Sequence, residues 1–279
     1  MTRLAPDSCQ RWDRGRHSFV RTSDGGFNPS RYRVEPIDEL TAKTYVTTHH
    51  YSRTYPAAAR RYGLFHDPDD TRTLVGVAVF GIPAQARVLT GPFPHLEPYR
   101  ESLELSRFVL HGPAGGSNLA PANAESWFLA RTFADLAAHD VHGIVAFSDP
   151  VPRIVDGHAL LPGHVGIIYQ ASNAVLAGRS TARSVTVLPD GTTLSDRAIQ
   201  KVRADEAGAD YVARRLVALG ARPRHTSDAG ATWIRDALTG IGASRIHHPG
   251  CYRYLMATTT HDRRLLLTHA SDPYPKPNH

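Results

Sequence analysis

Lysine is nearly missing from this chain. Lys43, Lys201 and Lys276 are the only lysines among 32 basic residues, so almost every cation is an arginine. Cysteine is as scarce: Cys9 and Cys251 are the two present and stand far apart in sequence. That excludes a disulfide framework and a Cys-x-x-Cys metal knuckle, and it fits a reducing cytoplasm. No stretch approaches the roughly 18 consecutive apolar residues of a membrane span. The opening segment, MTRLAPDSCQRWDRGRH, has no apolar run of the kind a secretory signal needs. The 16 histidines include no HExxH or similar ligand spacing, and His17, His66, His95 and His111 read as surface residues. No internal repeat is visible. What remains is an ordinary soluble composition of 279 residues, 41 % hydrophobic and 21 % charged, enough for one large core or a core with appendages.

What is there is unevenly spread. Residues 37–178 hold 10 Lys/Arg against 13 Asp/Glu, a net −3, while residues 1–36 hold 7 against 4 and residues 179–279 hold 15 against 9. The basic excess therefore lies in the flanks. Arginine suits bidentate phosphate contact and base stacking. A GC-rich genome also favours arginine over lysine, so the segregation of charge points to nucleic acid more strongly than the arginine count does.

Residues 1–30 are polar and rich in Arg, Ser and Gly, and read as a mobile arm. From there the pattern is mixed. Tyr32–Val34 alternates like a short strand, and Asp38 is a plausible cap for a helix running to His49 and His50. Arg61–Phe65 and Thr73–Phe80, separated by His-Asp-Pro-Asp-Asp, predict a β-hairpin. The Pro-rich stretch from Ile82 to Pro98 cannot be a central strand. Leu103–Leu110 predicts a strand with Leu103, Leu105 and Arg107 on one side and Glu104, Ser106 and Phe108 on the other. A glycine-containing loop (Gly112, Gly115, Gly116) leads to a core helix from about Asn123 to His139, whose Leu129, Phe133 and Leu136 recur at helical spacing. Ile144–Phe147 is wholly apolar, as in a buried strand. A short helix around Tyr169 and a strand near Ala174–Ala177 follow. Helices at Ser195–Arg203 and Ala209–Leu219 and a last strand near Tyr252–Met256 complete the reading.

Several side chains carry chemistry. His50 and Tyr51, at a helix exit, could serve as a general base and an orienting donor or as metal ligands; equally, a helix end attracts a histidine to its last carbonyls. Arg107 lies inside an apolar strand and needs an anion: Glu104 or Asp149 in an ion pair, or a substrate. Asp149 ends a buried strand beside Pro150, where it could accept a proton, bind a metal or cap a turn. Tyr169 is an acid candidate or a half-buried core tyrosine. Asn123 and Glu125 suit a helix start, and Ser126 with the nearby N–H groups could hold phosphates. Arg179, Arg183, Lys201 and Arg203 follow the strand that leaves this region and form the favoured phosphate-contacting group.

The order of elements, with a strand, a glycine-containing loop and a core helix, is that of acyl-CoA N-acyltransferases (the GNAT fold), although the usual Arg/Gln-x-x-Gly-x-Gly/Ala loop is absent. At HHYS, ELSRFVL, NAES, FSDP, GIIYQASN and the closing HHPGCYRYL…PYPKP, residues 49 to 277, the chain resembles the Mom family of phage DNA-modification proteins. The loop between Asp149 and Tyr169 is longer than that family's, and the N-terminal arm is private to this chain. The resemblance implies an α/β (α+β) acyltransferase-like fold and conversion of the N6 amine of adenine in phage DNA to a methylcarbamoyl derivative, which protects against restriction. It implies acetyl-CoA as donor, iron as a metal, and His50, Tyr51, Arg107, Asp149 and Tyr169 at the site; His50 and Asp149 are donors suited to ferrous iron, with Tyr51 or Tyr169 to complete the set, and the stacked adenine is expected to be flipped out of the duplex. The expected organisation is an arm (1–30), an acyltransferase-like core (31–179) and a basic C-terminal extension (180–279) packed on that core. An ordinary N-acetyltransferase acting on a protein or small-molecule amine, or a non-enzymatic DNA-binding protein, are the alternatives. Oligomeric state is not legible.

Overall fold

A computed structural model describes residues 8–23, 26–68, 71–112, 119–155, 158–161, 163–268 and 272–276. The chain opens with β1 (Ser8–Asp13), β2 (Arg16–Arg21), β3 (Tyr32–Pro36), α1 (Glu39–His49), β4 (Ala58–His66), β5 (Thr73–Gly81) and the single turn α2 (Arg87–Thr90). Next come β6 (Ser102–Leu110), α3 (Ala124–Ala138), β7 (Gly143–Ser148), β8 (Arg153–Val155), β9 (His158–Leu161) and α4 (Ile167–Ala171). Then follow β10 (Val175–Arg179), β11 (Arg183–Val187), β12 (Thr193–Leu194), α5 (Asp196–Arg203) and α6 (Ala209–Ala218). α7 (Gly230–Gly240), β13 (Ser244–His248), β14 (Tyr252–Ala257) and α8 (Thr260–Leu266) end the chain. These elements sort into two compact units, one of residues 1–150, 163–179 and 251–279, the other of residues 151–162 and 180–250.

The first unit is built on a seven-stranded sheet in the order β10-β14-β7-β6-β5-β4-β3. Only the β6–β7 pairing is parallel; the others are antiparallel. A parallel step needs a crossover, and α3 supplies it. Phe128, Leu129 and Leu136 of α3 pack with Leu103, Leu105, Ile144 and Tyr254 in one core cluster. The run Gly143–Ser148 is apolar because both faces of β7 are covered: Ile144 and Ala146 join that cluster, while Val145 joins a second one with Leu89, Phe93 and Leu255. This mixed sheet, with a strand, a helix and a parallel strand at its centre, is the acyltransferase-like layout expected from the sequence.

Two expectations are corrected. The stretch read as a mobile arm contains the hairpin β1–β2, paired in register from Ser8↔Arg21 to Asp13↔Arg16. It is anchored by Arg11, which is fully buried. Arg11 Nε and Nη2 donate to the carbonyls of Ala120 and Pro121 at 2.8 Å each, and Nη1 pairs with the carboxylate of Glu125. Nor does the core end at residue 179. Strand β14, from the expected extension, lies between β7 and β10, with Tyr252 opposite Ser148 and Tyr254 opposite Ala146.

The second unit has a three-stranded sheet, β12-β11-β13, and the hairpin β8–β9. Helices α5, α6 and α7 enclose Val202, Leu216, Trp233 and Ile234, all buried. Ser195 caps α5 by accepting from the N–H of Ala198 at 3.1 Å. Among the described residues, no helix is long and apolar enough to cross a membrane.

Candidate functional site

The blocks that carry the sequence resemblance fall at the ends of elements in the first unit: HHYS at the end of α1, ELSRFVL on β6, NAES at the start of α3, FSDP at the end of β7 and GIIYQASN on α4. Helix α1 starts where Asp38 accepts the N–H of Thr41 at 2.8 Å and buries Ala42, Tyr45 and Val46. It stops at His50, whose backbone is extended (φ −70°, ψ 138°). The imidazole of His50 is buried and stacks on Tyr51, ring centroids 4.1 Å apart. Trp12 of β1 also packs against Tyr51, ring centroids 5.1 Å apart.

Burial holds His50 well below the usual histidine range, helped by the charges of Arg107 and His164. Its Nδ1 accepts the backbone N–H of Ser52 at 3.1 Å and lies 2.8 Å from Ser52 Oγ. A backbone N–H can only donate, so the neutral ring carries its hydrogen on Nε2. The ring therefore has an N–H on Nε2 to donate. It is poorly suited to be a base, and the expected metal pair with Asp149 does not fit, because the one lone pair of the ring is already used by Ser52.

Arg107 requires a further correction. Strand β6 carries one extra residue, Ser106, between the pairs Phe80↔Leu105 and Val79↔Arg107. Across this bulge the residues packed in the core cluster change from Leu103 and Leu105 to Phe108 and Leu110. Arg107 therefore does not share a side with Leu103 and Leu105. Gly81 lies against the bulge, since a Cβ there would sit 2.5 Å from Ser106 Oγ. The guanidinium of Arg107 donates to Thr54 O (2.9 Å), Thr54 Oγ1 (2.7 Å) and Ser106 O (2.6 Å). No described carboxylate ion-pairs with it, so the expected pair with Glu104 or Asp149 is not formed. These bonds to Thr54 clamp the 50–54 turn onto β6. The sequence reading missed Thr54, whose place only the bulged strand explains.

Tyr169, on α4, is buried at 5 % exposure and packs on Tyr254 at 5.3 Å between ring centroids. Burial raises its pKa, and the nearby Tyr51 and Glu104 push in the same direction. It is a neutral phenol with a proton to give. Glu104 is likewise raised by burial, against the pull of Ser106 and Arg107. Asp149 follows β7 and is half-buried. Its backbone carbonyl accepts the N–H of His164 at 2.8 Å, and its carboxylate lies within 4.8 Å of Cys251 Sγ. Burial pushes His164 toward its neutral form while Asp149 pulls the other way. Thus His50, Tyr51, Arg107 and Tyr169 gather at one place, and Asp149 is joined to them through His164. The long loop concealed His164 from sequence reasoning.

The start of α3 differs from expectation in detail. Asn123 occupies the cap position with left-handed backbone (φ 72°), and its side chain makes no capping bond. Ser126 Oγ donates to Asn123 O at 3.2 Å. Glu125, which would repel a bound anion, is turned onto Arg11. Gly115 and Gly116 and the side chain of His17 lie outside the described residues. Of the four phosphate candidates, Arg179 belongs to the first unit and lies over the ring of Tyr252 at 4.1 Å, bonded to its hydroxyl. Arg183 (β11), Lys201 and Arg203 (α5) belong to the second unit.

No curated protein matches the chain. Among solved structures it is similar to a tandem GNAT protein from the clavulanic acid biosynthesis pathway, at 11 % identity and a TM-score of 0.39, over 82 % of this chain and 99 % of that one. The model of the Mom protein family matches residues 31–276. With nearly the whole described sheet and all five clustered residues inside that match, the chain belongs to the Mom protein family, and its general role is modification of phage DNA.

Proposed function

We infer that this protein transfers an acyl-derived group to the N6 amine of adenine in DNA, on the way to the methylcarbamoyl base, and so shields the DNA from restriction. The observation that carries the reading is the gathering of a guanidinium outside any ion pair (Arg107), a neutral Nε2–H imidazole (His50) and a buried neutral phenol (Tyr169), with Asp149 linked to them through His164.

The adenine amine is a poor nucleophile because its lone pair is delocalised into the ring. As its nitrogen bonds to the acyl carbon, the Asp149 carboxylate takes the proton that the amine loses. The His50 Nε2–H and the Arg107 guanidinium donate to the acyl oxygen, where negative charge develops. Tyr169 holds a proton on its phenolic oxygen for the departing thiolate, and the aromatic group of Trp12, Tyr51 and His50 offers ring surface beside which a flipped base can pack. Acetyl-CoA, when bound, would supply the thioester carbon. The start of α3 fits its phosphates, since the N–H groups of the first turn are not capped by Asn123, Ser126 adds a hydroxyl, and Glu125 is neutralised by Arg11. Acetyl transfer alone gives N-acetyladenine; the methylcarbamoyl product contains one more N–H between methyl and carbonyl, whose insertion needs both a nitrogen source and a two-electron oxidant and is a step outside acyl transfer. Iron at His50 and Asp149 has no part here, because the His50 ring cannot ligate while Ser52 occupies its lone pair.

Mass spectrometry of nucleosides from DNA co-expressed with the protein tests this. A modified deoxyadenosine is expected with the wild type. It should fall by about 10²–10³-fold with Arg107→Lys, the scale of losing one donor to a developing oxyanion. Unmodified deoxyadenosine with soluble wild-type protein, or donor turnover on amines without DNA, would overturn the reading.

A further inference from the structure

We propose that Asp13, His49 and His111 form a binding site for one divalent transition-metal ion of borderline character, zinc(II) or iron(II) in class, separate from the acyl-transfer site. Ligand atoms of the three residues lie within 4.8 Å of one another. Donors around an ion at about 2.0–2.2 Å can be no more than about twice that apart, so small side-chain rotations suffice to close the site. Two imidazoles and a carboxylate are the donor set such ions favour, and three protein ligands leave positions open.

The three residues come from three elements joined by backbone bonds. Asp13 ends β1, and the turn after it is tied to α1 where the Gly15 N–H donates to His49 O at 3.1 Å. Strand β1 is tied to the end of β6 by the bridge between Trp12 and His111 and by the Gly112 N–H donating to Trp12 O at 3.0 Å. The rings of His49 and His111 meet edge to face at 4.9 Å. All three ligands are half-buried, so an ion can enter without unfolding.

The protonation of His49 adds a second argument. Its Nδ1 lies 3.3 Å from the N–H of Arg14 and 3.6 Å from Asp13 Oδ1. An Nδ1 that accepts from Arg14 carries a lone pair beside the carboxylate, so two acceptors face each other, and Nε2 holds the ring hydrogen. That is the tautomer an Nδ1 metal ligand requires. The hydrogen bond from Arg14 is long, and an ion between Nδ1 and Asp13 would replace it. His50, one residue on, has no such freedom, because Ser52 approaches its Nδ1 with two donors. The guanidiniums of Arg14 and Arg53 stand nearby but are exposed to solvent, which screens their repulsion of a dication. A bound ion would fix the hairpin, the end of α1 and the end of β6, and through them the Trp12–Tyr51–His50 stack.

Asp13 precedes the region matched by the family model, whereas His49 and His111 lie within it. The proposal does not depend on the acyl-transfer reading. Titration of the full-length protein with cobalt(II), followed by visible d–d absorption and zinc(II) displacement, tests it. One equivalent is expected to bind, with affinity weakened at least about tenfold in the isosteric Asp13→Asn and in His111→Gln, since even changes behind the ligands have that effect. Asp149→Asn and Cys251→Ser should bind as wild type. Absence of stoichiometric binding, or binding lost in Asp149→Asn and kept in Asp13→Asn, overturns it. Circular dichroism and a thermal midpoint for each variant separate lost ligands from lost fold.

Discussion

The two units differ in the charge they bury, although the first also carries exposed pairs such as Arg33–Asp67 and Arg72–Glu35. The first buries it: Arg11 and Glu125 are paired inside, His50 is buried neutral, and Arg107 is bonded only to backbone oxygens and a hydroxyl. The second leaves it outside. Its core is apolar, and its cations are drawn into pairs such as Arg197–Glu206, Arg222–Asp228 and Arg224–Asp205, each with a well-exposed partner. A buried charge left without its partner is expensive, whereas an exposed pair contributes little. Single substitutions should therefore be severe in the first unit and mild in the second, and each experiment below tests that contrast.

The largest effect is expected at Arg11. Removing it strands the Glu125 carboxylate and leaves the carbonyls of Ala120 and Pro121 without donors. Arg11→Ala should cost about 3–5 kcal/mol, the range for breaking a buried pair from one side. Urea unfolding at neutral pH measures it. The doubly apolar variant Arg11→Met/Glu125→Leu should recover much of the loss, since no charge is then left buried. A loss within experimental error for Arg11→Ala would mean that the hairpin is not held as described.

This anchor also marks where sequence reasoning stopped. The pair β4–β5 was legible from its turn and apolar runs, α1 from Asp38, α3 from its spacing, and β7 from its unbroken apolar run. The hairpin β1–β2 was not, because its buried side is carried by Arg11, Trp12 and Val20, a set with no period-2 alternation. Its turn, Arg14-Gly15, has positive φ at both residues (46° and 76°) but lacks the Asn-Gly or Asp-Gly signal for that geometry. The bulge at Ser106 turned an assumed core position of Arg107 into a site position, and nothing local announces an extra residue in a strand. The place of β14 between β7 and β10 is a non-local pairing that element order cannot supply. Of the candidate site, residue types were legible and proton positions were not: His50 could be singled out from the sequence, but the hydrogen on its Nε2 follows from Ser52 alone.

A smaller effect is expected from acid. The pKa of His50 in the folded protein lies below its unfolded value near 6.5, with burial the first cause. Below that value the unfolded chain binds a proton that the folded site refuses. Stability therefore rises with pH through this window and is lost as pH falls, by up to about 1.4 kcal/mol per pH unit for one such group. His50→Gln keeps a side-chain acceptor and removes the titration. Its urea midpoint should fall less between pH 7 and pH 5 than that of the wild type. His49, His66 and His164 are shifted in the same direction and will leave a residual slope in the variant. Parallel curves for the two proteins would mean that the imidazole is charged in the folded state.

The mildest structural change, and the sharpest test of the second unit, concerns its cations outside ion pairs. Arg183, Lys201 and Arg203 make none among the described residues, whereas Arg197, Arg222, Arg224, Arg235 and Arg245 do. If this unit binds DNA phosphates, the free cations are the ones that can release counterions. Lys201 and Arg203 also suit the negative end of α5, so a purely local role predicts no effect on DNA. The triple variant Arg183→Gln/Lys201→Gln/Arg203→Gln should keep its unfolding midpoint and its donor binding. The slope of log affinity against log salt should become shallower by about 0.9 for each phosphate no longer neutralised, up to about 2.7 for three, equally on any DNA sequence. Arg179 serves as the comparison from the other unit. Its guanidinium is already spent on Tyr252, so Arg179→Gln should move the slope less than any of the three. An unchanged slope in the triple variant, with a clear change in Arg179→Gln, would assign the DNA surface to the first unit, where the buried charges are.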